Sequence, residues 1–113
     1  MRAPARLAEL ARSAYRAYET KDRQILEDLL AADFTFSSPR DDHIDRAAYF
    51  ERCWPNAERI RRFRFIKLVE DAPDVFVLYE AERAAGGWFR NTEVLSFEDG
   101  KLKSVEVYFG RDL

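Results

Sequence analysis

The sequence predicts an α+β domain in which helices come first and a sequential antiparallel sheet follows. Two features of patterning carry that expectation. Apolar residues recur at spacings of three and four over about residues 5–20 and again over 22–32, the period of amphipathic helices. From residue 62 onward apolar and polar residues alternate in runs parted by Gly86-Gly87 and Asp99-Gly100, as strands joined by hairpins do. Size is the third: 113 residues and 13.3 kDa suit one core, since a single domain normally spans about 100–200 residues. One domain over residues 1–113 is expected, and two catalytic domains are excluded.

In the first helix Leu7, Leu10, Ala11, Ala14 and Tyr18 form the apolar stripe, with Tyr15 at its border. Asp22 is placed to cap a second, shorter helix that would bury Ile25, Leu26, Leu29 and Leu30 and end near Ala32. Phe34-Thr35-Phe36-Ser37 then changes to period two, and Pro39, which has no backbone N–H to donate, ends that short strand. Residues 40–44 are polar and read as loop. Asp45 can cap a third helix carrying Ala48, Tyr49, Cys53 and Trp54, which Pro55 would end. Strands are expected around residues 62–65, over 74–82, over 88–97 and over 102–109.

Helices packed on one face of an antiparallel sheet leave the other face to solvent or a partner. If Val75, Val77, Tyr79, Val105, Val107 and Phe109 face the helices, then Phe76, Leu78, Glu80, Glu106 and Tyr108 face outward. Such an apolar, partly charged surface suits a homodimer.

Composition narrows the function classes. At 47% hydrophobic and 14% aromatic residues the chain has enough bulk to form a core, which excludes disorder. A net charge of -2 supplies no field that would hold nucleic acid through its phosphates. The lone Cys53 forms no internal disulfide and fits a reducing, cytoplasmic setting. No apolar run approaches the ~20 residues that span a bilayer, so no membrane partner is expected. The start Met1-Arg2-Ala3-Pro4-Ala5-Arg6 lacks an apolar signal region before Glu9, so no cleaved leader is expected. Its arginine-rich amphipathic character is shared with transit peptides, but Glu9 and Glu19 interrupt it and favour an ordinary helix.

The order helix, helix, strand, helix and four meandering strands resembles the nuclear transport factor 2-like superfamily, which includes ketosteroid isomerase and SnoaL-like polyketide cyclases. Local residues carry the likeness: Asp22 before the second helix, Leu29-Leu30-Ala31-Ala32-Asp33 leading into Phe34-Thr35-Phe36, Ser38-Pro39 after the strand, Asp99-Gly100-Lys101, and Phe109-Gly110 near the end. They span nearly the whole chain and specify the fold more than any activity. The resemblance implies a cone-shaped, curved antiparallel sheet packed on three N-terminal helices, a cystatin-like arrangement. It further implies a hydrophobic pocket, dimerisation through the outer sheet face, and no metal or organic cofactor.

In ketosteroid isomerase an Asp base stands just before the Pro that follows the first strand. Here that place is Ser38, which has no suitable pKa, so steroid isomerisation is not expected. The position of that enzyme's oxyanion-binding Tyr falls on Ala14, with Tyr15 and Tyr18 nearby. Its protonated Asp, which donates to the oxyanion, corresponds to Glu93. The resemblance therefore implies a related acid–base reaction: Glu93, desolvated beside Tyr79 and Val107, would have a raised pKa and act as acid or base. His43 would be the second titrating group, and Asn91, on the same strand face two residues away, would orient a carbonyl or hydroxyl.

Each candidate also has a plainer role. An inward Glu93 can be a structural group paired with a Tyr or with Arg90. His43, among Asp41, Asp42 and Asp45, can be a solvated loop residue. Those acids offer no metal site, because adjacent side chains diverge and no second histidine exists. Cys53 has no evident base partner and reads as packing. Tyr15, Tyr18, Phe36, Ser38, Tyr49, Trp54 and Tyr79 can line a ligand pocket, but aromatics at such spacings are first of all core. Arg59-Ile60-Arg61-Arg62-Phe63-Arg64 could bind phosphate or RNA. Balanced by Glu51, Glu58 and Glu70, it reads instead as a solvated strand edge. The expected partner is a small hydrophobic or amphipathic molecule. Two functions stay open: an isomerase, cyclase or hydratase without a cofactor, or a ligand-binding or accessory dimer with no catalysis.

Overall fold

The computed structural model describes residues 6–113. The transit-peptide and leader readings of residues 1–5, and a first helical turn beginning at Ala5, lie outside the described residues. The elements run α1 (Leu7–Thr20), α2 (Arg23–Leu29), β1 (Leu30–Ser38), β2 (Asp41–Asp45), α3 (Arg46–Arg52), a 3-10 helix (Trp54–Arg59), β3 (Ile60–Asp71), β4 (Asp74–Arg83), β5 (Trp88–Glu98) and β6 (Lys101–Asp112). The six strands form one sheet in the order β2-β1-β6-β5-β4-β3.

Local chemistry sets most of these boundaries. Asp22 Oδ1 accepts from the Gln24 amide at 3.1 Å and starts α2, and Asp45 Oδ1 accepts from the Ala48 amide at 2.9 Å and starts α3. Both are N-caps satisfying otherwise orphaned donors. Asp99 (φ 53) and Gly100 (φ 75) take the paired left-handed conformations of a tight hairpin between β5 and β6.

Several sequence expectations about element boundaries and pairing need correction. Residues 40–44 are not a loop: Asp41–Asp45 is β2, paired antiparallel with β1. It is an edge strand, and a strand with little to bury loses the alternating pattern that reveals strands. The second helix stops at Leu29, and Leu30–Ala32 begin β1, so Leu30 is buried from the sheet. Trp54 and Pro55 open the 3-10 helix instead of closing α3; proline's fixed φ suits a helix start. Finally, the sheet is mixed, because β1 runs parallel to β6.

The core lies between the helices and one face of this sheet. Phe34, Leu26, Leu95, Leu102, Val75 and Val77 are its largest fully enclosed side chains. Ala11, Tyr15 and Ala17 are the buried residues of α1, so Tyr15 sits inside the packed stripe and not at its border. Alternation holds along β4, where Val75, Val77 and Tyr79 are buried while Phe76 is 42% exposed. Register shifts interrupt β1–β2, β1–β6, β3–β4 and β5–β6. Bulges of this kind add twist and bend, giving the sheet the curvature that makes its inner face concave.

One close approach holds the end of β6 in place. A Cβ on Gly110 would lie 2.1 Å from the Arg90 carbonyl oxygen of β5. Gly110→Ala is therefore expected to destabilise the protein by about 1–3 kcal/mol, the usual cost of overpacking. Urea unfolding measures it, and an unchanged midpoint would show that β6 can shift freely away from β5.

Candidate functional site

A cavity of about 640 Å³ lies between the helices and the concave sheet face. Of the residues expected at a pocket, Tyr15, Tyr18, Phe36, Ser38, Tyr49 and Tyr79 line it, as do Asn91 and Glu93. Their convergence follows from strand periodicity. Asn91 and Glu93 share a face of β5, Tyr79 is in register with Asn91, and Val77 is in register with Glu93, which sets Tyr79 diagonally beside Glu93. From above, α1 supplies Tyr15 and Tyr18.

Glu93 is the centre of a hydrogen-bonded group. Tyr15 Oη donates to Oε1 at 3.1 Å and Tyr79 Oη donates to Oε2 at 2.5 Å. Asn91 Nδ2 donates to Tyr79 Oη at 3.2 Å, while the Gly110 amide donates to Asn91 Oδ1 at 3.1 Å. Tyr15 is held by edge-on contacts with Phe63, Phe65 and Tyr79, at ring separations of 5.0, 5.2 and 5.4 Å. Glu93 keeps partial accessibility, which opens onto the cavity that it lines. Its deep position still disfavours charge: burial raises the Glu93 pKa, and the hydrogen bonds from Tyr79 and Tyr15 offset only part of the rise. Burial and then the Glu93 charge drive the Tyr15 and Tyr79 hydroxyls well above the ordinary phenol value. Glu93 is thus the carboxyl of this set, and burial makes it hold its proton more firmly than it would in water.

A second hydroxyl pair stands beside it. Tyr18 Oη of α1 and Tyr49 Oη of α3 are 2.6 Å apart, and burial raises both pKa values, so both hydroxyls keep their protons. Two hydroxyls carry two protons, and one hydrogen bond between them uses one. The other has no acceptor among the described residues and is free for an oxygen in the cavity.

The remaining candidates fall elsewhere. His43 lies outside the cavity: its side chain is 74% exposed and its Nδ1 is 2.6 Å from Asp42 Oδ1. Ile44 pairs with Phe36 of β1, so period two turns its neighbour His43 to the opposite side. Trp54 does not line the cavity either; it packs edge-on against Tyr18 at 5.1 Å and supports the wall from behind. Ser38 Oγ donates to Asp41 Oδ2 at 3.1 Å and accepts from the Arg40 amide at 3.0 Å, a turn-forming role. Arg90 pairs with Glu80, not with Glu93. Cys53 lines the cavity, but burial, then the Asp41 charge, pushes its thiol up to about 11. It is protonated at neutral pH and a poor nucleophile. Among the described residues no three His, Cys, Asp or Glu side chains converge as a metal site requires.

Sequence reasoning missed the charged residues that line the cavity: Arg40, Asp41, Arg52, Arg59 and Arg83. Arg40 and Asp41 follow the inward strand end at Ser38 after a single residue, Pro39, a position that could have suggested a role at an opening. Arg59 was visible only as part of a cationic run. The others carry no local signal.

Residues 11–105 match the model of the SnoaL-like domain. Among curated proteins none matches the chain. Similar solved structures include an NTF2-like protein of unknown function from Cytophaga hutchinsonii ATCC 33406, 23% identical, TM-score 0.73, covering 97% of this chain and 95% of that one. An uncharacterised cystatin fold protein from Novosphingobium aromaticivorans is 16% identical with TM-score 0.78, covering 92% and 98%. TerC, co-crystallised with polyporic acid, is 16% identical with TM-score 0.75, covering 90% and 89%. Likeness at this level of identity speaks for the fold. No helix among the described residues is long and apolar enough to cross a membrane.

The raised Glu93 pKa ties stability to pH. Above the ordinary carboxylate value of 4.5 the unfolded chain releases a proton that the folded chain retains, so stability falls as pH rises through this window and levels off above the folded pKa. In Glu93→Gln that slope is absent. The variant's melting temperature relative to the wild type is expected to climb as pH rises from about 4.5, and a pH-independent difference would mean that Glu93 titrates as a solvated carboxylate does.

Proposed function

The chain belongs to the SnoaL-like domain family, and from that premise we propose that it takes a small amphipathic molecule into a largely hydrophobic pocket and shuttles a proton on it with its own side chains. The reaction class is isomerase-, cyclase- or hydratase-like. Glu93 carries the reading: a carboxyl of raised pKa that opens onto a cavity is suited to general acid–base work.

The proposed step begins with a carbonyl compound whose oxygen accepts the spare proton of the Tyr18–Tyr49 pair as a hydrogen bond. Glu93 takes the proton from a carbon that lies between the carbonyl and a C=C bond. The C–H electron pair becomes a new C=C bond and the carbonyl π pair moves onto the oxygen, giving a dienolate whose far carbon can accept the proton. The tyrosine pair stabilises the charge that develops there. Protonated Glu93 then returns the proton at another carbon, restoring its charge. Tyr15 and Tyr79 hold two of the carboxylate's roughly four lone-pair positions, which leaves others for the substrate. Asn91 is a positioning residue: both ends of its amide are engaged, one by Gly110 and one by Tyr79.

One observation favours the rival reading of a binding or accessory protein. Both Glu93 oxygens already have protein partners, as a satisfied structural carboxyl would. The two readings are separated by screening metabolites against the intact protein by thermal shift and following any binder in D2O by NMR. Catalysis is expected to exchange a substrate proton for deuterium, and Glu93→Gln to slow that exchange at least ~100-fold while binding persists. Undiminished exchange in the variant would remove Glu93 from the chemistry, and binding with no exchange would favour the accessory role.

We further propose that the protein is a homodimer joined through the outer sheet face and that it works as a single domain, residues 1–113, in the cytoplasm. The cytoplasmic setting rests on its lone Cys53. Phe76, Val69 and Tyr108, at 42%, 46% and 52% exposure, are large apolar or aromatic side chains for an uncovered strand face. Light scattering at micromolar concentration is expected to give twice the chain mass of 13.3 kDa; a monomer would overturn the dimer.

A further inference from the structure

The mouth of the cavity is as specific as its floor. Arg40, Arg52 and Arg59 are exposed, Arg83 is half-buried, and all four line the cavity. Two of them, Arg83 and Arg40, lie over phenyl rings. Ile60 pairs with Arg83 across β3 and β4, and the Ala84 amide donates to the Arg59 carbonyl at 2.9 Å, which sets Arg59 next to Arg83. The Arg83 guanidinium lies 4.7 Å from the centre of the Phe89 ring, and that of Arg40 lies 5.8 Å from the Phe109 ring. Asn91 pairs with Phe109, so the two rings belong to adjoining stretches of β5 and β6.

The charges here do not cancel. Arg83 pairs with Asp112 at 2.7 Å. Arg52 Nη2 is 2.7 Å from Asp41 Oδ1, close enough for an ion pair although off the line of a hydrogen bond. Arg40 and Arg59 have no carboxylate partner among the described residues. The cavity also continues into a second hollow of about 320 Å³, and Arg40, Arg83, Phe89, Asn91 and Phe109 line both. Arg111 joins them in the outer hollow. The passage between the two spaces is therefore walled by Arg40 and Arg83, each over an aromatic ring. Such a contact engages the face of a guanidinium and leaves its N–H edge for other partners. The Arg83 edge meets Asp112, whereas the Arg40 edge is, among the described residues, free for a planar oxyanion.

We propose that the ligand is an amphipathic oxyanion, a carboxylate or phosphate monoester, whose charged head is held by Arg40 and Arg59 at the mouth while its apolar, carbonyl-bearing end reaches Glu93. This rests on the ligand-binding reading above and adds to it the substrate class and its direction of entry. The two ends of the site enforce that direction. An anion driven to the floor would meet the Glu93 carboxyl with no cation among that carboxyl's hydrogen-bonding partners, whereas at the mouth it meets excess positive charge. Arginine clusters also draw anions from solution, an attraction that salt screens.

Three fluorescent probes test this with the intact protein: 2-naphthoate, 2-naphthyl phosphate and methyl 2-naphthoate. At least one anion is expected to bind about tenfold or more tightly than the neutral ester at low salt, and the stronger of the two names the head group. That preference should shrink as ionic strength rises from about 0.01 to 0.15 M. Arg40→Gln combined with Arg59→Gln is expected to abolish it while ester affinity and melting temperature stay unchanged. Equal binding of acid, phosphate and ester would overturn the anionic ligand and leave the pocket reading intact, as would loss of affinity for all three in the arginine variant. Failure of all three to bind the wild type would overturn both.

Discussion

The structure depends on how a carboxyl is kept on the concave face of a sheet. Removing a carboxylate from water costs several kcal/mol unless hydrogen bonds compensate. Glu93 meets that demand with donors from two directions, Tyr15 from α1 and Tyr79 from β4. Both contacts require the first helix to lie across the sheet at one position and β4 and β5 to keep one register. Asn91 extends the requirement to β6, because its amide joins Tyr79 to the Gly110 backbone. Gly110 reaches β5 closely enough to do this only because it has no Cβ. Four elements thus share one polar constraint inside an otherwise aromatic core.

Glu80 and Glu93 show how the two faces of one sheet give the same side chain opposite properties. Glu80 is on β4 and turns outward, where Arg90 donates to it at 2.6 Å and Arg64 at 3.2 Å. The Arg90 hydrogen bond leads in holding its pKa below the ordinary value. Glu93 turns inward and finds only neutral hydroxyls, so burial prevails and its pKa goes up. A cation favours the ionised form, whereas a phenol can donate to a carboxylate and accept from a carboxylic acid. The inner carboxyl can therefore change protonation state without losing its partners, whereas the outer one would forfeit the charge attraction of its ion pairs. The inner face is therefore the one on which a carboxyl can titrate among unchanged partners.

The sequence made the fold more legible than the site, and the reason is range. Helical period over α1, the two aspartate caps and the Asp99-Gly100 hairpin are settled by neighbours a few residues apart. Strand alternation placed Glu93 and Asn91 on one face beside Tyr79. What stayed hidden was non-local. The parallel pairing of β1 with β6 joins Thr35 to Ser104, and nothing within a short window encodes it. β2 escaped notice because an exposed edge strand lacks an apolar row. His43 and Trp54 were plausible by residue type and were displaced by geometry alone: one strand position turned His43 away, and Tyr18 stands between Trp54 and the cavity. Arg40 and Arg59 had no motif, since a residue at a cavity mouth is defined by elements far from it in the chain.

Floor and mouth place different physical demands on the chain, and their separation is what lets one fold meet both. At the floor the tyrosine hydroxyls are fixed by aromatic edge contacts, with Tyr18 against Trp54 and Tyr49 against Phe34 at 5.1 and 5.2 Å. Donors fixed in advance need no reorganisation when charge develops beside them. At the mouth Arg40, Arg52 and Arg59 are accessible, Arg40 lying over a ring and Arg52 in a single ion pair, so their side chains can move at little cost. Were the cations at the floor, they would favour ionised Glu93 as Arg90 favours ionised Glu80. Were the hydroxyls at the mouth, water would compete for their spare proton. The curvature of the sheet keeps the two apart by making the inner face deep, and that depth originates in the register shifts between its strands.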